Sequence, residues 1–197
     1  MAKDYPTLSI APIAADFTRP FEVPTCEYEP RGTCVYFPGS TIGNFAQAEA
    51  IHLLADIAYR CERGDGLLIG FDLRKDIDVL ESAYNDRAGV TAAFNKNLLH
   101  RMNSELDANF DTQQFGHHAF FNDAAGRIEM HLVSQREQSV SIADHSFRFD
   151  RSETICTEYS HKYSISEFEQ MTAQVGWQCK ETWCDERDYF AVMYLER

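Results

Sequence analysis

The most constraining stretch of this chain is residues 66–73, GLLIGFDL, an almost unbroken apolar run between Gly64-Asp65-Gly66 and Asp72. Such a run lacks the alternation of a half-wet strand and suits a central parallel strand covered on both faces. What precedes it agrees. Residues 33–37 (TCVYF) are β-branched and aromatic and predict a buried strand. The turn-rich loop 38–44 (PGSTIGN) follows. A helix is expected from about 45 to 63, with Asn44 as its cap and Gly64 as its stop. Ala48, Ile51, Ala55 and Ala58 form its expected stripe, widened by Leu54. Strand, loop, helix, strand is a βαβ unit and implies an α/β sheet.

The rest of the chain extends that sheet and interrupts it. Residues 7–14 (TLSIAPIA) predict a further strand ending at Asp16-Phe17, joined onward by a Pro-rich stretch from Pro20 to Pro30. Two helices are expected over 76–85 and 89–106, the second with Val90, Ala93, Phe94, Leu98 and Met102 at helical spacing. Short alternating strands follow at about 119–122, 127–134, 139–143, 146–149 and 154–160, with a hairpin turn at Asp123-Ala124-Ala125-Gly126. A short helix over 166–175 takes Ser166 as cap and Glu169 as its capping-box partner. Residues 177–183 and 189–195 close the chain as an antiparallel pair. The expected architecture is an open α/β sheet from 1–74 and 162–197, interrupted by a mixed α/β insertion over 75–161. Ligands on such sheets sit beyond the carboxyl ends of the parallel strands.

Composition narrows the function. Eighteen Lys and Arg stand against 31 Asp and Glu, a net charge of −13. That charge repels polyanions and anionic lipid, so neither nucleic acid nor a membrane is an expected partner. No stretch approaches the length of a membrane-spanning helix, and the first residues lack the apolar core of a signal peptide. The expected location is the cytoplasm. The six cysteines (Cys26, Cys34, Cys61, Cys156, Cys179 and Cys184) are then expected as reduced thiols. Only Cys179 and Cys184 approach knuckle spacing and no second pair answers them, so no metal site is assigned. That segment alternates instead, with Trp177, Cys179, Glu181 and Trp183 on one side. The adjacent His117 and His118 read as surface or structural.

Loop 38–44 carries the clearest site signal. Its two glycines and small polar residues allow a ligand close to the backbone, with Asn44 either presented to it or acting only as a cap. Gly64-Asp65-Gly66 precedes a strand and is a return turn, not a dinucleotide fingerprint. On the strand near 154–160, Glu158 and Ser160 share one face, with Tyr159 on the other. A carboxylate beside a hydroxyl can read a cationic or NH-bearing group, although exposed strands often carry both residue types. Tyr84 reads as a core aromatic or a ligand contact.

Together these stretches resemble one family. They are Tyr36-Phe37-Pro38-Gly39-Ser40-Thr41-Ile42-Gly43-Asn44, then Leu68-Ile69-Gly70-Phe71-Asp72-Leu73-x-Lys75-Asp76, then Ala83-Tyr84-Asn85-Asp86-x-x-Gly89-Val90-Thr91-x-Ala93-Phe94-Asn95, and Thr157-Glu158-x-Ser160-x-Lys162. Their order and spacing resemble the histidine-specific N-methyltransferases that use S-adenosylmethionine, over nearly the whole chain. The best-known member makes trimethylhistidine in ergothioneine synthesis, and relatives methylate a prenylated tryptophan. The resemblance implies an incomplete Rossmann-like methyltransferase sheet with a substrate-recognition insertion. It implies that Asp16 and Phe17 contact the adenine end of the cofactor, and that the loop with Gly39 and Ser40 lies between cofactor and substrate. It implies that Asn44 and Tyr84 hold the amino acid's amine and carboxylate, and that Glu158 and Ser160 read the imidazole. No acid or base is assigned, because transfer from an activated donor needs orientation and exclusion of water more than proton transfer.

The resemblance also implies strands that this sequence does not contain. The family's glycine-rich first strand and the second strand ending in a ribose-binding acid would precede Met1. In a sheet ordered 3-2-1-4-5-7-6 their absence exposes an edge of the fourth strand. The expectation is therefore self-association or a complementary N-terminal chain, with an inactive amino-acid-binding module or a truncated fragment as the alternative.

Overall fold

In a computed structural model, residues 5, 7–19, 21–24 and 30–197 are described. Cys26 and part of the Pro-rich stretch lie outside them. The apolar run forms strand β2 (Gly66–Asp72), buried along almost its whole length. It pairs in parallel with β1 (Cys34–Phe37) and antiparallel with β9 (Phe190–Glu196). Strand β8 (Gln178–Cys184) completes a sheet ordered β1-β2-β9-β8. This is the 4-5-7-6 half of the sheet that the resemblance implies. A mixed, Rossmann-like α/β sheet is thus the architecture of the chain.

Helix α1 (Gln47–Arg60) covers one face. Its buried stripe is Ala50, Leu53, Leu54 and Ala58, so the expected stripe is rotated and Ala48 is exposed. The cause is a later start. Residues Thr41–Asn44 form a 3₁₀ turn, and Ala46 rather than Asn44 is the cap, its N–H donated to the Glu49 carboxylate at 2.9 Å. Trp177, 2% exposed, joins the core and donates its indole N–H to the Leu54 carbonyl.

Three further expectations about this sheet fail. Residues 7–14 form no strand. They run without a ladder partner among the described residues, and an extended segment gains nothing from β geometry without one. β1 is not buried but half-exposed at the sheet edge, with Tyr36 67% exposed. In β8 a bulge between Cys179 and Glu181 breaks the alternation, so Cys179 and Thr182 face inward together while Trp183 is exposed.

Residues 75–161 carry the second sheet. Helix α2 (Ile77–Tyr84) begins at Asp76, whose carboxylate accepts from the Asp78 and Val79 amides. Helix α3 (Val90–Glu105) follows, and the Asp86 carboxylate accepts from the Val90 and Thr91 N–H groups, which hold its pKa down at about 2. Strands β3 (Phe115–Asn122), β4 (Arg127–Ser134) and β7 (Thr154–His161) form an antiparallel sheet in the order β3-β4-β7. The turn at 123–126 joins the first two. Strands β5 (Gln138–Ile142) and β6 (His145–Phe149) make a separate hairpin.

The expected stripe of α3 is a correction of consequence. Val90 and Phe94 are 68% and 65% exposed, and Leu98 and Ala93 are exposed with them. The helix meets the sheet through Asn95 and Leu99, and of the expected stripe only Met102 joins them. Buried Asn95 donates to the His117 ring and to the His131 carbonyl, so a polar residue holds the inner face.

The last helix, α4 (Ile165–Ala173), is capped by Ser164 and Glu167, two residues earlier than Ser166 and Glu169. Its Phe168 stacks on Phe71 of β2 at 3.9 Å between ring centroids.

Candidate active site

The site grows from the place where β7 ends against β2. Beyond β7 the chain bridges to the tip of β2, Leu73 pairing with Tyr163. Tyr163 donates its N–H to the Asp72 carbonyl, and Arg74 donates its N–H to the Tyr163 carbonyl. This junction turns the side chain of Lys162 inward, where it is 1% exposed.

A buried ammonium is stable only with partners for its protons. Lys162 has three: Asp72 Oδ2 at 2.8 Å, Tyr84 Oη at 2.9 Å and Ser160 Oγ at 2.8 Å. Tyr84 Oη in turn lies 2.9 Å from Ser160 Oγ and donates to it. Lys75 holds the other oxygen of Asp72 at 2.6 Å and donates to the Tyr189 carbonyl at 2.8 Å. One carboxylate, two ammoniums and two hydroxyls therefore form a closed polar cluster at the C-terminal end of β2.

Tyr84 reaches it from the last turn of α2. Its carbonyl accepts from His117 Nε2 at 2.8 Å, while His117 Nδ1 faces Asn95 Nδ2 at 3.0 Å. That pairing places the ring proton on Nε2 and makes His117 a structural residue. Ser160 of β7 and Lys162, just past its end, reach the cluster through their two-residue spacing.

Glu158, two residues further back on the same strand, stands apart from the cluster and faces open space. A bulge at Thr157, whose hydroxyl donates to the Met130 carbonyl, sets its direction. Glu158 lines one cavity with Phe94, Leu98, Arg101 and Met130, and another with Asn44, Cys156 and Tyr159. Burial pushes its pKa up, and the nearby Lys162 opposes that shift.

The loop before α1 is tied to the same strand. His161 Nδ1 lies 3.0 Å from the Gly43 carbonyl, and the Asp72 amide donates to Ser40 Oγ at 3.0 Å. Gly39 takes a positive φ of 70°. A Cβ on Gly43 would come within 2.7 Å of the His161 carbonyl, so this approach requires glycine. Phe17, 47% exposed, meets Phe37 and Phe45 edge-on, with ring centroids 5.7 and 6.2 Å away. Asp16 beside it accepts from Thr18 and pairs with Arg19, and these hydrogen bonds lower its pKa.

Of the expected site residues, Tyr84 and Ser160 are therefore in contact, and Asn44 and Glu158 share a cavity. Asp16, Phe17, Gly39 and Ser40 lie around the loop at the β1 end of the sheet. Asp72 and Lys162 carry the cluster yet were given no role in the sequence. Their signal was present: Ser160-x-Lys162 is strand spacing, and Asp72 closes the apolar run. One group of possible metal ligands, Glu129, His131 and Cys156, lies on the outer face of the second sheet. Arg127 and Asn122 hold Oε1 of Glu129, and its Oε2 lies 3.3 Å from His131 Nε2.

The comparisons fall on the same ground. The family described as histidine-specific methyltransferase, SAM-dependent, matches residues 1–197. A histidine N-alpha-methyltransferase of Mycolicibacterium smegmatis is 36% identical over 98% of this chain and 60% of its own length. One from Mycobacterium tuberculosis is 39% identical over 79% of this chain and 49% of its own. An L-tryptophan methyltransferase of Psilocybe serbica is 27% identical over 82% of this chain and 46% of its own. Among solved structures, the CcbJ methyltransferase of Streptomyces caelestis superposes with a TM-score of 0.48 at 11% identity, covering 94% of this chain and 62% of its own. The chain thus spans 60% or less of the length of the three relatives named before that structure. The chain belongs to the histidine-specific, S-adenosylmethionine-dependent methyltransferases.

Proposed function

We propose that the chain is the amino-acid-reading part, with half of the cofactor-binding sheet, of an N-methyltransferase acting on the α-amine of histidine or a related aromatic amino acid. In this reading residues 1–74 and 162–197 belong to the cofactor half, and 75–161 are the substrate-recognition insertion. The observation that carries it is the placement of Glu158 on an open cavity two residues from the Tyr84–Ser160–Lys162 cluster. A carboxylate and a hydroxyl at that separation suit the two nitrogens of an imidazole. Asn44 on the same cavity is proposed to hold the amine and carboxylate end, and Tyr84 acts on the ligand through Ser160, to which it donates its proton.

S-adenosylmethionine supplies an already activated methyl group. The residues present fit one wall of its site. Phe17, Phe37 and Phe45 offer an apolar adenine end beside Asp16, and Gly39 and Ser40 form a small-residue loop above the strand tip. This chain's own contribution is then positional: Asn44, Tyr84, Glu158 and Ser160 fix the amino acid, and the loop excludes water from the reacting amine.

The partner is proposed from exposed apolar surface. Among the described residues β1 has a free edge, and Tyr36, Val90, Phe94 and Leu98 are all exposed. A groove of about 440 Å³ along α1 is lined by Phe45, Ala48 and Leu53. Such surface favours a complementary chain or a second copy. We place the protein in the cytoplasm, a reading supported by its free thiols at Cys34, Cys61, Cys156, Cys179 and Cys184. No helix among the described residues is long and apolar enough to cross a membrane.

Titration calorimetry of S-adenosylhomocysteine, with and without histidine, tests the function. Binding that strengthens with histidine is expected once the chain is associated. Histidine binding with no response to S-adenosylhomocysteine would instead mark an amino-acid-binding module.

A further inference from the structure

We propose that Lys162 is a positioning residue that locks the Tyr84–Ser160 pair as a hydrogen-bond donor, so that the site selects the neutral imidazole of its substrate over the imidazolium. This rests on the reading of Glu158 and Ser160 given above. The argument is a proton count. An ammonium has three protons and no lone pair, so it donates and never accepts. Lys162 gives its three protons to Asp72, Tyr84 and Ser160. Tyr84 Oη and Ser160 Oγ share one further bond, which uses one hydroxyl proton. Two hydroxyls bring two protons, so one is left over. It has no acceptor among the described residues, which leaves it free for a ligand. With Tyr84 donating to Ser160, the proton left over is that of Ser160. In this direction Ser160 Oγ accepts twice, from Lys162 and from Tyr84, and has no lone pair left for a ligand N–H.

A donor at Ser160 and a carboxylate at Glu158 present opposite demands to the two ends of a ring. A neutral imidazole meets both, with a lone pair for one and an N–H for the other. An imidazolium meets only the carboxylate and turns a second N–H against a fixed proton. A buried polar group left facing a like group is a strong means of discrimination. The cluster keeps this polarity because Asp72, held also by Lys75, anchors the ammonium. Other charged and titratable groups bear on the region. Arg101 of α3 lies on the Glu158 cavity and is paired with Glu105. Arg74 bonds the Lys162 carbonyl, and His117 bonds that of Tyr84. The Lys75 ammonium is engaged by Asp72 and the Tyr189 carbonyl.

Two measurements decide it. Nitrogen-15 spectra of the Lys162 side chain at neutral pH should show an ammonium whose protons exchange far more slowly than those of surface lysines. Exchange at the surface rate would overturn the lock. Histidine affinity, read by calorimetry, should rise about tenfold from about pH 5.5 to about pH 7.5, following the neutral fraction of an imidazole of pKa about 6.5. Lys162→Met should flatten that rise to less than about threefold, Lys162→Arg should restore it, and Glu158→Gln should weaken binding yet keep the slope. An affinity that is flat or falls with pH in the parent chain, or a rise unchanged in Lys162→Met, would overturn the proposal. If Lys162→Met does not fold, Lys162→Gln, which can accept as well as donate, takes its place with the same expectation. Failure to bind histidine at any pH, with the slow ammonium present, would count against the proposed function and leave the lock standing.

Discussion

At the scale of residues, the site depends on contacts with no room for adjustment. Gly43 sits against the backbone of His161, so Gly43→Ala forces the loop and the end of β7 apart. A loss of about 1–3 kcal/mol is expected, as for overpacking elsewhere, and chemical denaturation would read it. Glu158 and Ser160 should differ in their value to histidine. A hydrogen bond to a charged group is worth about 1.5–3 kcal/mol against about 1 for a neutral one, so Glu158→Ala should weaken binding more than Ser160→Ala. Equal losses in calorimetry would sink the imidazole-reading role. Part of this was legible beforehand, because strand periodicity alone puts Glu158, Ser160 and Lys162 on one face. What was not legible is that Tyr84, 76 residues before Ser160, would meet it. Local spacing carries no information about which helix end a strand will reach.

The elements were read best where sequence signals were redundant. The apolar run of β2 and the hairpin at 123–126 stand where expected, since burial and turn chemistry agree there. Helix ends were harder. Two serines stand at the start of α4, and both Ser164 with Glu167 and Ser166 with Glu169 satisfy the capping-box spacing. The structure uses Ser164, and Ser164→Ala is expected to cost about 1 kcal/mol while Ser166→Ala costs little, measurable as a difference in thermal midpoint. In α3 the periodic apolar stripe is real but outward-facing. Periodicity shows that a helix has an apolar side without saying what that side meets. Here Asn95 takes the inner position because His117 and the His131 carbonyl satisfy it.

For the molecule as a whole, the β1 edge, unpaired among the described residues, and the exposed Val90, Phe94 and Leu98 predict association. Sedimentation of the purified chain should show oligomers, and Phe94→Ser with Leu98→Ser should reduce them without lowering the thermal midpoint. A clean monomer with cooperative unfolding would rule that out. The two sheets also differ in how the chain supplies them. The first gathers strands from both ends of the chain, whereas the second comes wholly from residues 75–161, which leave and rejoin at one point. Lys75 stands at the departure, Lys162 at the return, and both clasp the carboxylate of Asp72. A segment whose two ends meet is a cassette. It could be exchanged for the matching stretch of a relative with a different amino-acid preference, provided both lysines and that aspartate stay, and the four-stranded sheet would not register the change.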